Sequence, residues 1–369
     1  MSGLTEVITE YKRLGIDQQI DYEKFYLYSI ITHSTAIEGS TVTEIENRML
    51  FDKGISANKP MIEQLMNLDL KNAYDRGFEI ADEHEAFSTE MLCSLAGILM
   101  RNTGSIYNTV LGSFSSADGD LRLVNVSAGG GKSYMAWQKV PEQLKEFTDW
   151  LNRSMSMLAA GNDAQHGLTA GVENSRVLDA AYIESAYKLS FIAHYRLVTI
   201  HPWADGNGRM ARLVMNIVQR EMGVPLSVVR KESRTAYIQS LSDSQNADDS
   251  VEFLDFMTKH HIQNVGEQIE EYKKSIGSAI DDNANVVKEI IHQYGAPGAN
   301  GVSKLSSKEQ AVYDQMKTEP GVTIIGIMDR TGFSRPTVTR TIKALKDKGL
   351  IERIGANKNG YWVVKGLKS

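Results

Sequence analysis

Twelve consecutive residues, His201-Pro202-Trp203-Ala204-Asp205-Gly206-Asn207-Gly208-Arg209-Met210-Ala211-Arg212, hold groups that can act together on a phosphate. His201 titrates near neutral pH and can take a proton from a hydroxyl. Asp205 offers a hard carboxylate oxygen of the kind that holds Mg2+ shared with phosphates. Gly206 and Gly208 let the backbone approach a ligand closely. With Asn207 they open a helix whose free N–H groups form an anion site suited to a di- or triphosphate. Arg209 and Arg212, three apart, lie on neighbouring positions of one helical face and carry forked donors for phosphate oxygens. Base, metal ligand, anion cradle and two guanidinium groups fit attack of a hydroxyl on a nucleotide phosphate.

The elements that must position these groups read as helices. Apolar residues fall at helical spacing near 21–37, 59–82, 87–100, 140–158, 177–200, 207–222 and 250–275. From Ala181 to Ile200, Ile183, Tyr187, Phe191 and Tyr195 recur every fourth residue, with Ala186, Leu189, Ala193 and Leu197 on neighbouring faces. A helix apolar all round belongs at the centre of a bundle, which puts His201 at the edge of the core. Pro202 blocks continuation of that helix. Between Asn108 and Val140 the pattern changes. Leu121–Val126 and Tyr134–Trp137, around Gly129-Gly130-Gly131, predict a β-hairpin inserted in the helical body. Gly131-Lys132-Ser133 is no Walker loop, because position 126 is Val126 and no helix follows.

At 201–212 the sequence resembles the Fic family, whose core motif is H-P-F-x-D/E-G-N-G-R-x-x-R; only Trp203 departs from it, as an aromatic exchange and a buried anchor. The resemblance spans about 30 to 260. It implies a mainly α Fic helical bundle with a β-hairpin flap at 121–137. It also implies transfer of AMP from ATP to a Ser, Thr or Tyr hydroxyl of a protein, and of the chain itself, with release of pyrophosphate. His201 would be the general base and Asp205 the Mg2+ ligand. Gly206, Asn207 and Gly208 would cradle the α- and β-phosphates with Arg209, and Arg212 would bind the γ-phosphate. Tyr237 would meet the adenine, with Ile238 beside it, or else be a core residue of an amphipathic helix; Gln245 or Asn246 would also lie near the nucleotide. The flap would hold the protein target as an added strand, or be an ordinary surface hairpin.

Ser34-Thr35-Ala36-Ile37-Glu38-Gly39 matches the family's inhibitory pattern S/T-x-x-x-E-G/N. By that resemblance Glu38 pairs with Arg212 and occupies the space of a γ-phosphate, with Ser34 and Gly39 completing the motif. A buried arginine–carboxylate pair loses about 3–5 kcal/mol when one partner is removed. Because the motif precedes the core, the blocking helix is of the N-terminal class.

Residues 294–304, Tyr-Gly-Ala-Pro-Gly-Ala-Asn-Gly-Val-Ser-Lys, read as a linker. Beyond it a helix from Leu305 to Met316 with Ser306 as N-cap is predicted, then a helical piece at 322–330 and the turn Thr331-Gly332-Phe333. A helix over 334–348 follows, ended by Gly349, and two strands around Ala356–Gly360 complete the order of a winged helix-turn-helix. The division expected is 1–100 for the N-terminal helices with the inhibitory motif, 101–275 for the catalytic core, 276–304 for helix and linker, and 305–369 for the winged helix.

The net charge of −6 is unevenly spread. From Lys304 onward 13 Lys/Arg stand against 6 Asp/Glu, whereas the preceding 303 residues carry 27 against 40. A basic tail on an acidic body points to separate partners. Arg335, Arg340, Lys343, Lys346 and Lys348 on 334–348 could enter a DNA major groove, or the module serves protein contacts such as a homodimer. This leaves a second reading, a DNA-binding regulator whose body senses nucleotide; an intact His201 favours the enzyme. The single cysteine, Cys93, excludes an intrachain disulfide and a thiolate tetrad and fits a reducing compartment. With no signal-peptide pattern in MSGLTEVITEYKRLG and no run of about 18 apolar residues, a cytoplasmic chain without membrane contact is expected.

Overall fold

The computed structural model describes residues 2–18, 22–127, 133–166, 179–294, 307–348, 350–354 and 361–364. The predicted turn at Gly129–Gly131, the Ser306 cap, the Gly349 stop, the wing tip at 356–360 and the linker beyond Tyr294 lie outside them. The chain divides into two compact units, one of Met1–Asp17 with Asp21–Lys273, the other of Gln18–Ile20 with Lys274–Ser369.

In chain order the helices of the first unit are α1 (Ser2–Arg13), α2 (Tyr22–Ile37), α3 (Glu44–Lys53), α4 (Met61–Asp82), α5 (Thr89–Met100), α6 (Val140–His166), α7 (Ala180–Ile200), α8 (Asn207–Glu221), α9 (Arg234–Ala247) and the start of α10 (Val251–Tyr294). The predicted helices all form, within a few residues at their ends except α6 and α10, which run on to His166 and Tyr294. Three helices lie outside those periodic segments, α1, α3 and α9. Leu4, Ile8 and Tyr11 of α1 are buried at helical spacing. The N-terminus of α3 is a capping box in which Glu46 N–H donates to Thr43 Oγ1 and Glu46 accepts from Thr43 N–H.

The middle of the first unit is the α7–α8 pair. Phe191, Ala193, Leu197, Met210, Ala211, Leu213, Val214, Met215, Ile217 and Val218 are fully buried. Each buried leucine stabilises the fold by about 1.5–3 kcal/mol relative to exposure. This anchors both sides of the 201–206 loop in rigid packing. Trp203, 1% exposed, fills the loop's underside and donates from Nε1 to Gly119 O at 3.1 Å, as its role of buried anchor requires.

The hairpin region differs in detail from the sequence expectation. A regular antiparallel pair forms earlier, β1 (Ile106–Thr109) with β2 (Gly112–Ser115). Its turn is Val110-Leu111, an apolar pair that carries none of the usual turn signals. Within 121–137 the described residues form no regular ladder, only the single bridge Ser127–Ser133 and a Tyr134 N–H bond to Val126 O. The two arms are tied through a side chain: Arg122 donates to Val124 O and to Met135 O. Trp137–Lys139 is a 3-10 turn leading into α6.

The second unit follows the predicted order: α11 (Ser307–Thr318), α12 (Ile324–Thr331), α13 (Arg335–Asp347), β3 (Ile351–Ile354) and β4 (Tyr361–Val364). Gly332, at φ +69°, makes the left-handed turn between α12 and α13. Val312, Met316, Ile327, Val338, Leu345, Ile351 and Trp362 form its own hydrophobic cluster. Among the described residues no helix is long and apolar enough to cross a membrane.

Candidate active site

The site lies wholly in the first unit, where α7 ends and α8 begins. His201 caps α7 with φ +54° and ψ 62°. This left-handed conformation costs a side-chain-bearing residue about 1–2 kcal/mol, so the surroundings must hold it. His201 N–H bonds to Leu197 O at 3.1 Å, and Arg122 Nε donates to His201 O at 2.7 Å. The Tyr134 ring stacks on the imidazole, centroids 3.7 Å apart and planes 17° from parallel. Nδ1 lies 3.4 Å from Val198 O. With Nδ1 as the donor of that contact, Nε2 keeps the lone pair a base needs. Burial pushes the imidazole pKa down to about 4; the Val198 carbonyl opposes this, and the Arg122 charge adds to it. The ring is therefore neutral at pH 7.

Asp205 is exposed, and its Oδ1 accepts from Gly206 N–H at 2.6 Å. Gly206 is the N-cap of α8 at φ +80°, and a Cβ there would lie 2.8 Å from Met100 Sδ. The Asn207 side chain closes the loop on itself, accepting from Trp203 N–H and donating to Trp203 O. Arg209 is 3% exposed; its Nη2 contacts Met100 Sδ at 3.2 Å and Asp205 at 3.8 Å, while Nε and Nη1 are buried with no hydrogen-bond partner. Buried donors left unpaired are rare and costly. Here they sit in the first turn of a helix, where the dipole also favours an anion.

Arg212 is 2% exposed and fully engaged. Nε donates to Ser34 Oγ at 2.8 Å and Nη2 to Ser34 O at 3.0 Å; Nη2 also meets Glu38 Oε1 at 2.6 Å, and Nη1 donates to Tyr237 OH at 3.3 Å. A Cβ on Gly208 would stand 2.9 Å from Glu38 Oε1. Burial disfavours the Glu38 charge, but Arg212, with Arg209 and Arg234 beyond it, holds the carboxyl below its usual range. The Glu38 side chain is 36% exposed, so losing it costs less than a fully buried pair would, about 1–2 kcal/mol.

The end of α2 that carries Glu38 is fixed from both sides. Arg234 Nε donates to Ile37 O at 2.7 Å. Buried Asn67 of α4 accepts from Thr35 Oγ1 and Asn47 Nδ2 and donates to Ser40 Oγ and Glu63 O. Gly39 follows Glu38 at φ +107°.

Of the two roles open to Tyr237, the structure supports the core one. The residue is 1% exposed, its hydroxyl lies 2.9 Å from His194 Nε2, and it accepts from Arg212 Nη1 at 3.3 Å. Ile238, next to it, is 45% exposed. Gln245 Nε2 donates to Thr199 Oγ1 at 3.2 Å. Arg122, Tyr134, Arg234 and Asn67 were not singled out by sequence. One signal existed: Arg122 shares an alternating face with Val124 and Val126, where a charge must be buried or functional.

Residues 86–219 match the model of the Fic/DOC family, and residues 314–360 that of the MarR family. Protein adenylyltransferase fic-1 of Caenorhabditis elegans is 25% identical over 301 residues, 80% of this chain and 48% of that protein. The Caenorhabditis briggsae protein of the same name is 27% identical over 263 residues, 70% of this chain and 44% of that one. Protein adenylyltransferase Fic of Drosophila melanogaster is 25% identical over 226 residues, 59% and 37% of the two chains. The chain thus spans about half, or less, of the length of these curated relatives. Two solved structures share the fold at TM-score 0.54. One is a Fic domain containing signaling protein from Bacteroides thetaiotaomicron, with 20% identity over 74% of this chain and 98% of that one. The other is a fragment of Fic-1 from Caenorhabditis elegans, with 22% identity over 74% and 73%. Residues 86–219 are thus similar to the Fic/DOC family, the chain shares its fold with solved Fic proteins, and residues 314–360 are similar to the MarR family.

Proposed function

We propose that this protein transfers AMP from ATP to a hydroxyl of a protein and of itself, and that Glu38 restrains the transfer. The observation that carries the reading is that a carboxylate already lies against the first turn of α8. Glu38 Oε1 sits on Arg212, in the space above Gly208 where the terminal phosphate of a triphosphate would bind. The unpaired donors of Arg209 support the same reading, since phosphate oxygens would satisfy them.

In the proposed reaction His201 Nε2 takes the proton of the target hydroxyl. The hydroxyl oxygen then bonds to the α-phosphorus, the bridging P–O bond to the β-phosphate breaks, and pyrophosphate leaves. The N–H groups of Asn207 and Gly208 hold the α- and β-phosphates, Gly206 lets the chain pass close to them while its own N–H bonds Asp205, and Arg209 spreads the charge that builds on them. With Glu38 moved aside, Arg212 holds the γ-phosphate. Asp205 fits as a Mg2+ ligand: it presents an exposed hard oxygen beside the anion site. Among the described residues no set of three or more His, Cys, Asp or Glu forms a metal site of its own. Mg2+ bound there would offset phosphate charge. An extended segment of the target pairs with the main chain at 121–137, which aligns its hydroxyl without reading much sequence.

Glu38→Gly is expected to raise transfer of label from α-labelled ATP to protein by more than tenfold, and His201→Ala to abolish it in either background. A Glu38→Gly protein no more active than the parent would reject the restraint.

A second reading concerns the winged helix alone. The MarR match and the exposed basic residues Arg335, Lys343 and Lys346 on α13 support contact with nucleic acid. Anisotropy of labelled duplex DNA should then rise on titration and collapse between 50 and 200 mM salt.

A further inference from the structure

Arg122 is 1% exposed, yet none of its hydrogen bonds goes to a carboxylate. Each of its three side-chain nitrogens donates to a main-chain carbonyl, and those carbonyls belong to three separate stretches. Nε bonds to His201 O at 2.7 Å, Nη1 to Val124 O at 2.8 Å and Nη2 to Met135 O at 2.5 Å. Its own backbone N–H donates to Pro202 O at 3.1 Å. Burying a guanidinium in this way is unfavourable, and the desolvation lowers its pKa. A neutral side chain could fill the same space at less cost. What the charge and fork accomplish is geometric. The carbonyls of His201, Val124 and Met135 are fixed to one rigid plane, and the backbone N–H of Arg122 holds Pro202 O beside them.

The position of those carbonyls decides where the imidazole points. His201 is in the left-handed region, which an unrestrained histidine leaves readily. Holding its carbonyl restrains ψ and keeps the residue in that conformation, while the Tyr134 stack restrains the rotation of the ring. Met135, held by the same fork, adjoins Tyr134, whose ring lies on the imidazole. We propose that Arg122 is a positioning residue, which aligns the His201 base with the segment that presents the target hydroxyl. The proposal rests on the reading of His201 as the base given above.

The test uses full-length Glu38→Gly protein with Arg122→Met or Arg122→Lys added. The first readout needs no turnover. The His201 Cε1–H resonance, assigned by its loss in His201→Ala, should be displaced by the Tyr134 ring current in the Glu38→Gly parent. Arg122→Met should return it to an ordinary position. Arg122→Lys, which keeps the charge but not the fork, should do the same, and it serves if the methionine variant does not fold. In AMP transfer both variants should lose about 100-fold in kcat, the penalty of a base displaced by about 1 Å, while KM for ATP stays within about twofold. The pH profile separates charge from geometry: the acid limb moves to higher pH in Arg122→Met and stays in place in Arg122→Lys. An unchanged resonance with unchanged kcat overturns the proposal, as does a rise in KM that parallels the loss of kcat, which would mark general collapse of the site. If the Glu38→Gly parent transfers nothing, the functional reading fails, yet the resonance still decides whether Arg122 positions His201.

Discussion

At the scale of single residues, burial sets the chemistry. His201 titrates near 4 because its ring is taken out of water, with the Arg122 charge nearby. A protonated ring cannot accept a proton, so activity is lost only as pH falls through about 4. The Glu38→Gly enzyme is expected to show constant kcat/KM from about pH 5.5 to 7.5, without the limb near 6.5 that a solvated histidine gives. A limb at 6.5 would show that the imidazole is solvated. Gly206 is the other residue whose type is dictated by position. Alanine at φ +80°, with its Cβ 2.8 Å from Met100 Sδ, should destabilise the protein by about 1–3 kcal/mol in urea unfolding. Gly54→Ala, also left-handed but in open space, should cost about 1 kcal/mol. Equal losses at the two positions would mean that contact with Met100 contributes nothing.

At the scale of elements, the end of α2 is held at several points, so the proposed restraint should weaken by degrees. Ser34→Ala removes the acceptor of Arg212 Nε, and Arg234→Ala frees Ile37 O; each leaves Glu38 on Arg212. Both variants are expected to raise AMP transfer above the parent but below Glu38→Gly. If either matches Glu38→Gly, the carboxylate is not what blocks the site. The elements were legible in the sequence where their signal is local. The long apolar periods of α7 and α8 and the proline between them placed the loop at the core's edge, and twelve contiguous residues held most of the site. What stayed hidden is tertiary. Arg122 meets His201 across 79 positions, and Tyr237 meets Arg212 across 25. No periodicity marks such contacts. The strands expected at 121–126 and 134–137 follow β propensity, whereas the two segments are tied through the Arg122 side chain, which bonds Val124 O and Met135 O. The β1–β2 turn was missed because Val110-Leu111 looks like the middle of a strand rather than its end.

At the scale of the whole molecule, two units with separate cores carry opposite charge balances. All the residues proposed for transfer lie before Lys274, so a chain of residues 1–273 with Glu38→Gly should keep AMP transfer within about threefold of the full-length variant. Loss of DNA binding without loss of transfer would fit separate partners for the two units. Stability should also follow the buried histidines. Desolvation lowers His194 and His261 to about 3 and His260 and His201 to about 4. Unfolded histidines titrate near 6.5, so between about pH 6.5 and 4 the unfolded chain binds more protons than the folded one. Stability is therefore full above 6.5 and declines as the pH falls through that window. Thermal unfolding of the truncated chain, which retains all four, should show the decline. A midpoint that does not move between pH 6.5 and 4.5 would mean that these imidazoles are open to water.

The most direct test of the central claim is the intact mass of the Glu38→Gly protein after incubation with ATP and Mg2+, beside the Glu38→Gly/His201→Ala double variant. A polyphosphate seated on the N-terminus of α8 next to a neutral imidazole predicts a gain of one adenylate in the first and none in the second. Equal adducts in both, or a mass corresponding to phosphate in place of adenylate, would contradict it.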